Sequence, residues 1–286
     1  MNSSKVDEMS NCAVIIVTHN SKPFLKKCLE CLQNQSLLPA QIIIIDSGSD
    51  PLENVGLDNQ YLNLCSYVSR NNVGFCKGNN IGLSLVKDEI KYILFLNPDT
   101  FLSSDFIEKA KSYLEREDQE KTAAISGLLM GYDISKDCPT GKIDSTGIFR
   151  KWYGNWYDRD QGKIYQKQFF TQEESVPALC GALMFCRKNA LSTVLLAPNE
   201  VWDNSFFMYK EDIDLSLRLR KKNWDLKFLP ELIAYHCRGW QPDRGKIPKR
   251  LRLLSARNEI KICTRIHSPC LIYSSIKYLS VKFFNV

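Results

Sequence analysis

Twice in the first hundred residues, a short and wholly apolar run stops at an acid. Ile42-Ile-Ile-Ile45 meets Asp46, and Tyr92-Ile-Leu-Phe-Leu96 meets Asn97-Pro98-Asp99. Runs this short, with no polar alternation, read as strands buried on both faces, the habit of a parallel sheet covered by helices. Pro98 has no amide hydrogen to give to a ladder, so the second strand must end there. Ala13-Val-Ile-Ile-Val17 is a third such run. After it, Ser21 and Pro23 form a helix start, and Leu25, Cys28, Leu29 and Leu32 recur at helical spacing. Strand, helix, strand in that order predicts parallel pairing through a right-handed crossover, hence an α/β fold.

Open α/β sheets bind ligands at the carboxyl ends of their strands. Asp99 there either holds a metal ion and phosphates or caps a helix starting near Ser104. Asp46 either accepts hydrogen bonds from a ribose or base or closes an Asx-turn. No GxGxxG follows the first strand, which weighs against a dinucleotide-binding oxidoreductase. A weaker strand near Tyr67 leads into Arg70–Gly82, where Gly74 and Gly78 allow close backbone approach and Asn72, Asn79, Asn80 and Lys77 offer donors. Ser103–Glu117 reads as a capped helix and Ala123–Leu129 as a strand. Residues 131–175, rich in Gly, Asp, Lys, Trp and Tyr, read as a long irregular loop or lid whose aromatics stack on sugar rings or pack on a neighbour.

Farther on, Glu211, Asp212 and Asp214 crowd together, a costly arrangement unless something uses the charge. A helix is predicted from there, with Asp214 and Arg218 paired at i,i+4 and Asp212 turned away, free for chemistry. Capping by the acids is the other reading. His236 closes the apolar strand Ile233–Cys237, as a structural residue or a ligand.

The length of 286 residues, with 44% hydrophobic and 24% charged content, suits a globular domain with a large core. Eleven scattered cysteines predict reduced thiols in a cytosolic protein, and Cys28 and Cys31 predict ordinary packing. Neither a signal peptide nor an apolar run near ~18 residues is present. The net charge of +6 is local: residues 244–265 hold eight basic residues against Glu259 alone, leaving the remainder at −1. Such a stretch seeks phosphate surfaces, with an anionic membrane preferred over nucleic acid, or is a solvated helix face.

Together these stretches resemble the family 2 glycosyltransferases of the GT-A fold, within them the rhamnosyltransferase-like bacterial enzymes. The resemblance runs from about Ala13 to about Pro269. It is carried by Val17-Thr-His-Asn20, Ile45-Asp-Ser-Gly-Ser-Asp50, Asn72-Val-Gly-Phe75 with Gly78–Gly82, Leu96-Asn-Pro-Asp99, Gly181-Ala182, Phe206–Leu215 with Arg218, and His236. It implies a Rossmann-like, mostly parallel central sheet flanked by helices, as a domain over 11–240 followed by a basic helical segment over 241–286. It further implies an inverting transfer of a sugar, rhamnose in this subgroup, from a nucleotide-diphospho-sugar donor to a lipid-linked or cell-surface glycan acceptor. Such an enzyme would sit in the cytoplasm or at the inner face of the membrane.

On that resemblance Thr18, Asn20, Asp46, Asn72, Gly74, Lys77, Asn80 and Asn97 lie on the donor side. Asp99 and His236 meet Mg²⁺ or Mn²⁺, and Asp212 is the general base. Asn97 stands where many members carry a second acid, and His19 where they carry another aromatic. The competing classes are a nucleotidyltransferase, which would want a Gly-rich basic loop after the first strand, and a non-catalytic nucleotide-sugar binder, which would not need Glu211-Asp212.

Overall fold

A computed structural model describes residues 10–50, 65–237 and 247–284. The polar first eleven residues, which the sequence predicts to be loose, lie almost wholly outside them, as do Arg244 and Lys246. The three apolar runs are strands β1 (Ser10–Thr18), β2 (Pro39–Ser47) and β4 (Tyr92–Leu96), with β3 (Cys65–Arg70) beside β2. All four pair in parallel, in the order β3-β2-β1-β4. Helix α1 (Lys22–Gln33) joins β1 to β2, burying the predicted Leu25, Cys28, Leu29 and Leu32. Ser21 precedes it, but the Ser21 hydroxyl donates to the His19 carbonyl and makes no side-chain cap. Helix α2 (Gly74–Ser84) follows β3. The register sets Thr18 level with Asp46 and Ile15 level with Phe95, so these strand ends open on one edge.

Beyond β4 the sheet becomes mixed. Strand β6 (Thr122–Asp133) and β11 (Leu183–Arg187) run antiparallel to each other, and β11 runs antiparallel to β4. Strand β12 (Asp225–His236) joins β6 in parallel and also pairs with β5 (Thr100–Leu102) and β10 (Glu174–Ser175). The β6–β12 register breaks between Leu229 and Ile233, around Pro230, which cannot donate to a ladder. The displaced backbone presses on Gly127: a Cβ there would lie 1.9 Å from the Leu232 carbonyl oxygen, so no larger residue fits.

The helix after Asp99 is α3 (Phe106–Leu114), with Asp105 at its N-cap, so the reading of Asp99 as its cap does not hold. Residues 131–175 are more ordered than expected. They form β7 (Cys138–Ser145) against β6, and the hairpin of β8 (Ile148–Arg150) with β9 (Trp156–Asp158). Their strands are short, polar and aromatic rather than apolar, which hid them from periodicity.

Two further helices follow α4 (Lys188–Ser192): α5 (Glu211–Lys221) before β12, and α6 (Lys249–Arg265) after it. Helix α7 (Leu271–Phe284) packs on α6, with Ser274 and Val281 buried. All eleven cysteines lie among the described residues and none forms a disulfide. No helix among the described residues is long and apolar enough to cross a membrane.

Candidate active site

A cavity of about 720 Å³ opens at the carboxyl end of β4. Asn97, Asp99, Asp212 and His236 all line it, so residues far apart in sequence meet there. Topology explains the meeting. The β5–β12 pairing sets His236 opposite Thr100, and the His236 Nε2 lies 3.3 Å from the Asp99 Oδ1. The β6–β7 pairing brings Asp144 to the other side of the ring, its Oδ2 2.8 Å from Nδ1.

His236 and Asp144 are both buried. Burial pulls the imidazole pKa down, but the Asp99 charge and the Asp144 hydrogen bond outweigh it and raise the value to about 9. With Nδ1–H donating to Asp144, a neutral ring turns the Nε2 lone pair toward a carboxylate. Two facing acceptors at 3.3 Å call for a proton or a cation between them. The separation also suits neighbouring ligands of an octahedral ion, which sit about 3 Å apart when the bonds are near 2.1 Å. Among the described residues no third protein ligand completes a cluster, so other ligands must come from substrate and water.

Asp212 approaches from the opposite chain region, in the first turn of α5. Its Oδ2 accepts from the Gly181 amide at 3.0 Å and its Oδ1 from the Ile213 amide at 2.8 Å. Gly181 is a close approach: a Cβ there would stand 3.2 Å from that of Asp212. Burial raises the Asp212 pKa, the Gly181 amide opposes the rise, and the Asp158 charge adds to it. Glu211 is pushed well up, by burial and then by Asp212, and its Oε2 is buried with no hydrogen-bond partner. Asp214 points away, as predicted, bonding Arg218 at 2.8 Å and also Arg265.

The arch before α5 is strained. Phe207, Tyr209 and Lys210 all have positive φ, and the Met208 amide closes a γ-turn onto the Phe206 carbonyl at 2.7 Å. The buried Asn258 of α6 holds this arch, its amide donating to the Phe206, Met208 and Tyr209 carbonyls at 2.9 to 3.0 Å. On the other side the Phe75 and Cys76 amides donate to the Phe207 carbonyl. Gly74, at φ +77°, leaves room for the Phe207 ring, which a Cβ would meet at 2.5 Å. Helix α6 is thus a wall of the cavity, contributing Leu251 and Ser255, with Pro248 at its N-cap beside them.

The other expected donor-side residues lie outside this cavity's lining. Thr18 is buried at the end of β1, its hydroxyl without a partner, and Lys77 is exposed on α2. Asn20 accepts from the Asp50 amide. Asp46 accepts from the Ser49 amide and hydroxyl, three residues on rather than the two of an Asx-turn, and, through Oδ2, from Tyr67. Asn72 lines a neighbouring groove. Asn80 departs from expectation: buried, it accepts from the Val201 and Trp202 amides and donates to the Trp202 carbonyl, tying α2 to that loop. Of the aromatics, Trp156 and Tyr157 line the cavity, while Trp152 does not and is 92% exposed. Asp144, Asp158 and Asn258 went unnoticed in sequence. None sits in a recurring pattern, and only long-range pairing brings them in.

Residues 13–195 match the profile of Glycosyl transferase family 2. The chain is 28% identical over 228 residues to the rhamnosyltransferase WbbL of Escherichia coli, covering 78% of this chain and 82% of that protein. It is 22% identical over 246 residues to an uncharacterized glycosyltransferase of Haemophilus influenzae, covering 82% and 68%. Among solved structures, GalNAc-T7 with UDP, GalNAc and Mn²⁺ superposes at TM-score 0.65 and 16% identity, over 91% of this chain and 48% of that one. The mannosyltransferase PcManGT from Pyrobaculum calidifontis, with GDP-Man and Mn²⁺, superposes at 0.60 and 13% identity, over 97% and 71%. These likenesses establish the GT-A fold. The profile spans more than half of the sequence, and the chain is therefore a glycosyltransferase belonging to family 2.

Proposed function

We propose that the chain is an inverting glycosyltransferase, taking a sugar from a nucleotide-diphospho-sugar to a hydroxyl of a lipid-linked or cell-surface glycan. The work would be done in the cytoplasm at the inner face of the membrane. Rhamnose is the first sugar to try, on the name of the 28% identical relative. Residues 11–240 would form the transferase domain, and the basic helical segment 241–286 would complete its cavity. The reading rests on Asp212 and the Asp99–His236 pair lining one cavity from separate elements.

In the transfer, an Asp212 oxygen takes the proton of the acceptor hydroxyl as the hydroxyl oxygen attacks the anomeric carbon. The bond from that carbon to the donor phosphate breaks, its electron pair leaving with the nucleoside diphosphate. A raised carboxylate pKa makes Asp212 a better proton acceptor. Asp99 and His236 would hold Mg²⁺ or Mn²⁺, which offsets negative charge on the leaving diphosphate. Thr18, Asn20, Asp46, Asn72, Gly74, Lys77 and Asn97 border the proposed donor side. Asn80 is left to its structural bonds.

A thermal-shift panel of nucleotide sugars, with and without Mn²⁺, tests the proposal. One donor should raise Tm selectively, and more so with the metal, because binding stabilises the folded state by mass action. No shift with any of them would overturn it.

Asp144 has a definite part here. A carboxylate on the far nitrogen of a ligating histidine fixes its tautomer and orientation. Asp144→Asn is expected to weaken Mn²⁺ binding in the presence of the nucleoside diphosphate by about 10- to 100-fold. Calorimetric titration checks this, and unchanged affinity would reduce Asp144 to a packing residue.

A further inference from the structure

Lys210 stands where local rules disfavour a lysine. It is the residue before α5, at φ +72°, in the left-handed region that L side chains rarely adopt. A cation there also opposes the positive end of the helix. The residue is half-buried, and its ammonium makes no ion pair or hydrogen bond with any described residue. Costs of this kind gathered at one position mark function more often than packing.

Its surroundings give it a use. Asp99, Asp158, Glu211 and Asp212 line the cavity, and Lys210 is the only lysine or arginine among the described lining residues. Charged groups face it from several elements: Glu259 on α6, Lys277 on α7, Asp212 on α5 and Asp158 on β9. Burial pulls its pKa below the usual lysine range, and Glu259 is the largest influence against that. Cys76 on α2 also faces these acids, and burial keeps its thiol protonated.

Glu259 is fully buried and would attract Lys210, but Lys277 takes it. The Lys277 Nζ lies 2.6 Å from the Glu259 Oε2 and donates to the Asn155 Oδ1 at 3.0 Å. The other Glu259 oxygen, Oε1, is buried with no hydrogen-bond partner. A buried carboxylate stripped of its cation is costly and draws the next one at hand. Here that next cation is Lys210, two residues before Asp212.

We propose that Lys210 is a positioning residue of the transfer, its ammonium held in the cavity to keep Asp212 ionised for the acceptor's proton, and that Lys277 keeps it there by satisfying Glu259. Burial, and after it the Asp158 charge, favour the protonated form of Asp212, while the Gly181 and Ile213 amides and the Lys210 charge favour the ionised one. Helix α7 lines no part of this cavity, yet it acts on the site through Glu259. The role rests on the reading of Asp212 as the base.

The test uses the full chain isotope-labelled at the aspartate carboxyls, where the signal lost in Asp212→Asn identifies Asp212. Its titration by NMR needs no turnover. In Lys210→Met the Asp212 midpoint should move to higher pH, and Lys210→Arg should return it toward the wild-type position. Below the midpoint, kcat/KM should fall about tenfold in Lys210→Met and recover above it, with the donor-induced Tm shift intact. Lys277→Met should move the midpoint the same way as Lys210 turns to Glu259, and Lys277→Met/Glu259→Gln should bring it back. An unmoved midpoint in Lys210→Met would overturn the proposal. So would an equal loss of rate at every pH, which marks a packing role, or a lost donor shift, which marks a phosphate contact. An unmoved midpoint in Lys277→Met, or no return in the paired variant, would overturn the part given to α7. If Asp212 titrates as expected but the wild type transfers from no donor, the part given to Lys210 stands and the transferase reading falls.

Discussion

Asp212→Asn is expected to bind the sugar donor as the wild type does and to transfer about 10²- to 10⁴-fold more slowly, the usual worth of a positioned base. The acid pair at the start of α5 differs internally in a way that selects Asp212. Its two oxygens receive the Gly181 and Ile213 amides, which favour the ionised form, while the Glu211 Oε2 is buried with no hydrogen-bond partner. Burial and the Asp212 charge therefore keep the proton on Glu211 to well above the ordinary carboxylate range. Asp212 ionises first, from a value still raised by burial. Because the base works only when deprotonated, wild-type kcat/KM should rise with pH through a midpoint above the usual aspartate value. The residual rate of the variant should lack that step. Donor binding by thermal shift and transfer by product assay separate the two effects. Wild-type turnover by Asp212→Asn would remove this carboxylate from the mechanism, and donor binding without turnover in the wild type would favour a binder.

The parallel half of the fold was legible because it needs only local information. Ile42–Ile45 and Tyr92–Leu96 are buried on both faces and show it in composition, and the acids after them mark the strand ends. The mixed half is built by pairings between residues distant in sequence, such as β6 with β12, and its strands carry weaker patterns. Hence Asp212 was visible, lying in a crowd of acids, while Asp144 was not. A lone aspartate in a polar stretch gains meaning only when His236 arrives beside it. The basic stretch is more divided than its composition implies. Helix α6 divides its residues, with Asn258 and Arg265 turned inward to hold the arch and α5, and Arg250 and Arg257 turned outward. Net charge along the sequence does not record which way a helix faces.

Asp99→Ala should have the second large effect, and part of it is measurable without turnover. Only Asp99 and His236 stand ready as protein ligands at this site among the described residues, so removing one halves the set. Calorimetric titration with Mn²⁺ and the nucleoside diphosphate should show affinity reduced at least about a hundredfold, and transfer should fall with it. The metal-free protein gives an independent reading. Asp99 is the larger of the influences raising the His236 pKa to about 9, against burial. A histidine whose folded value is raised contributes stability that is fully present below its unfolded value, near 6.5, and is lost as pH rises through about 9. Metal-free wild type should therefore lose melting temperature across that window. In Asp99→Ala burial regains ground, the folded value falls, and the loss should shrink and move to lower pH. Equal pH profiles for the two proteins would show that Asp99 and His236 do not share a proton, and unchanged Mn²⁺ affinity would show that they do not share a cation.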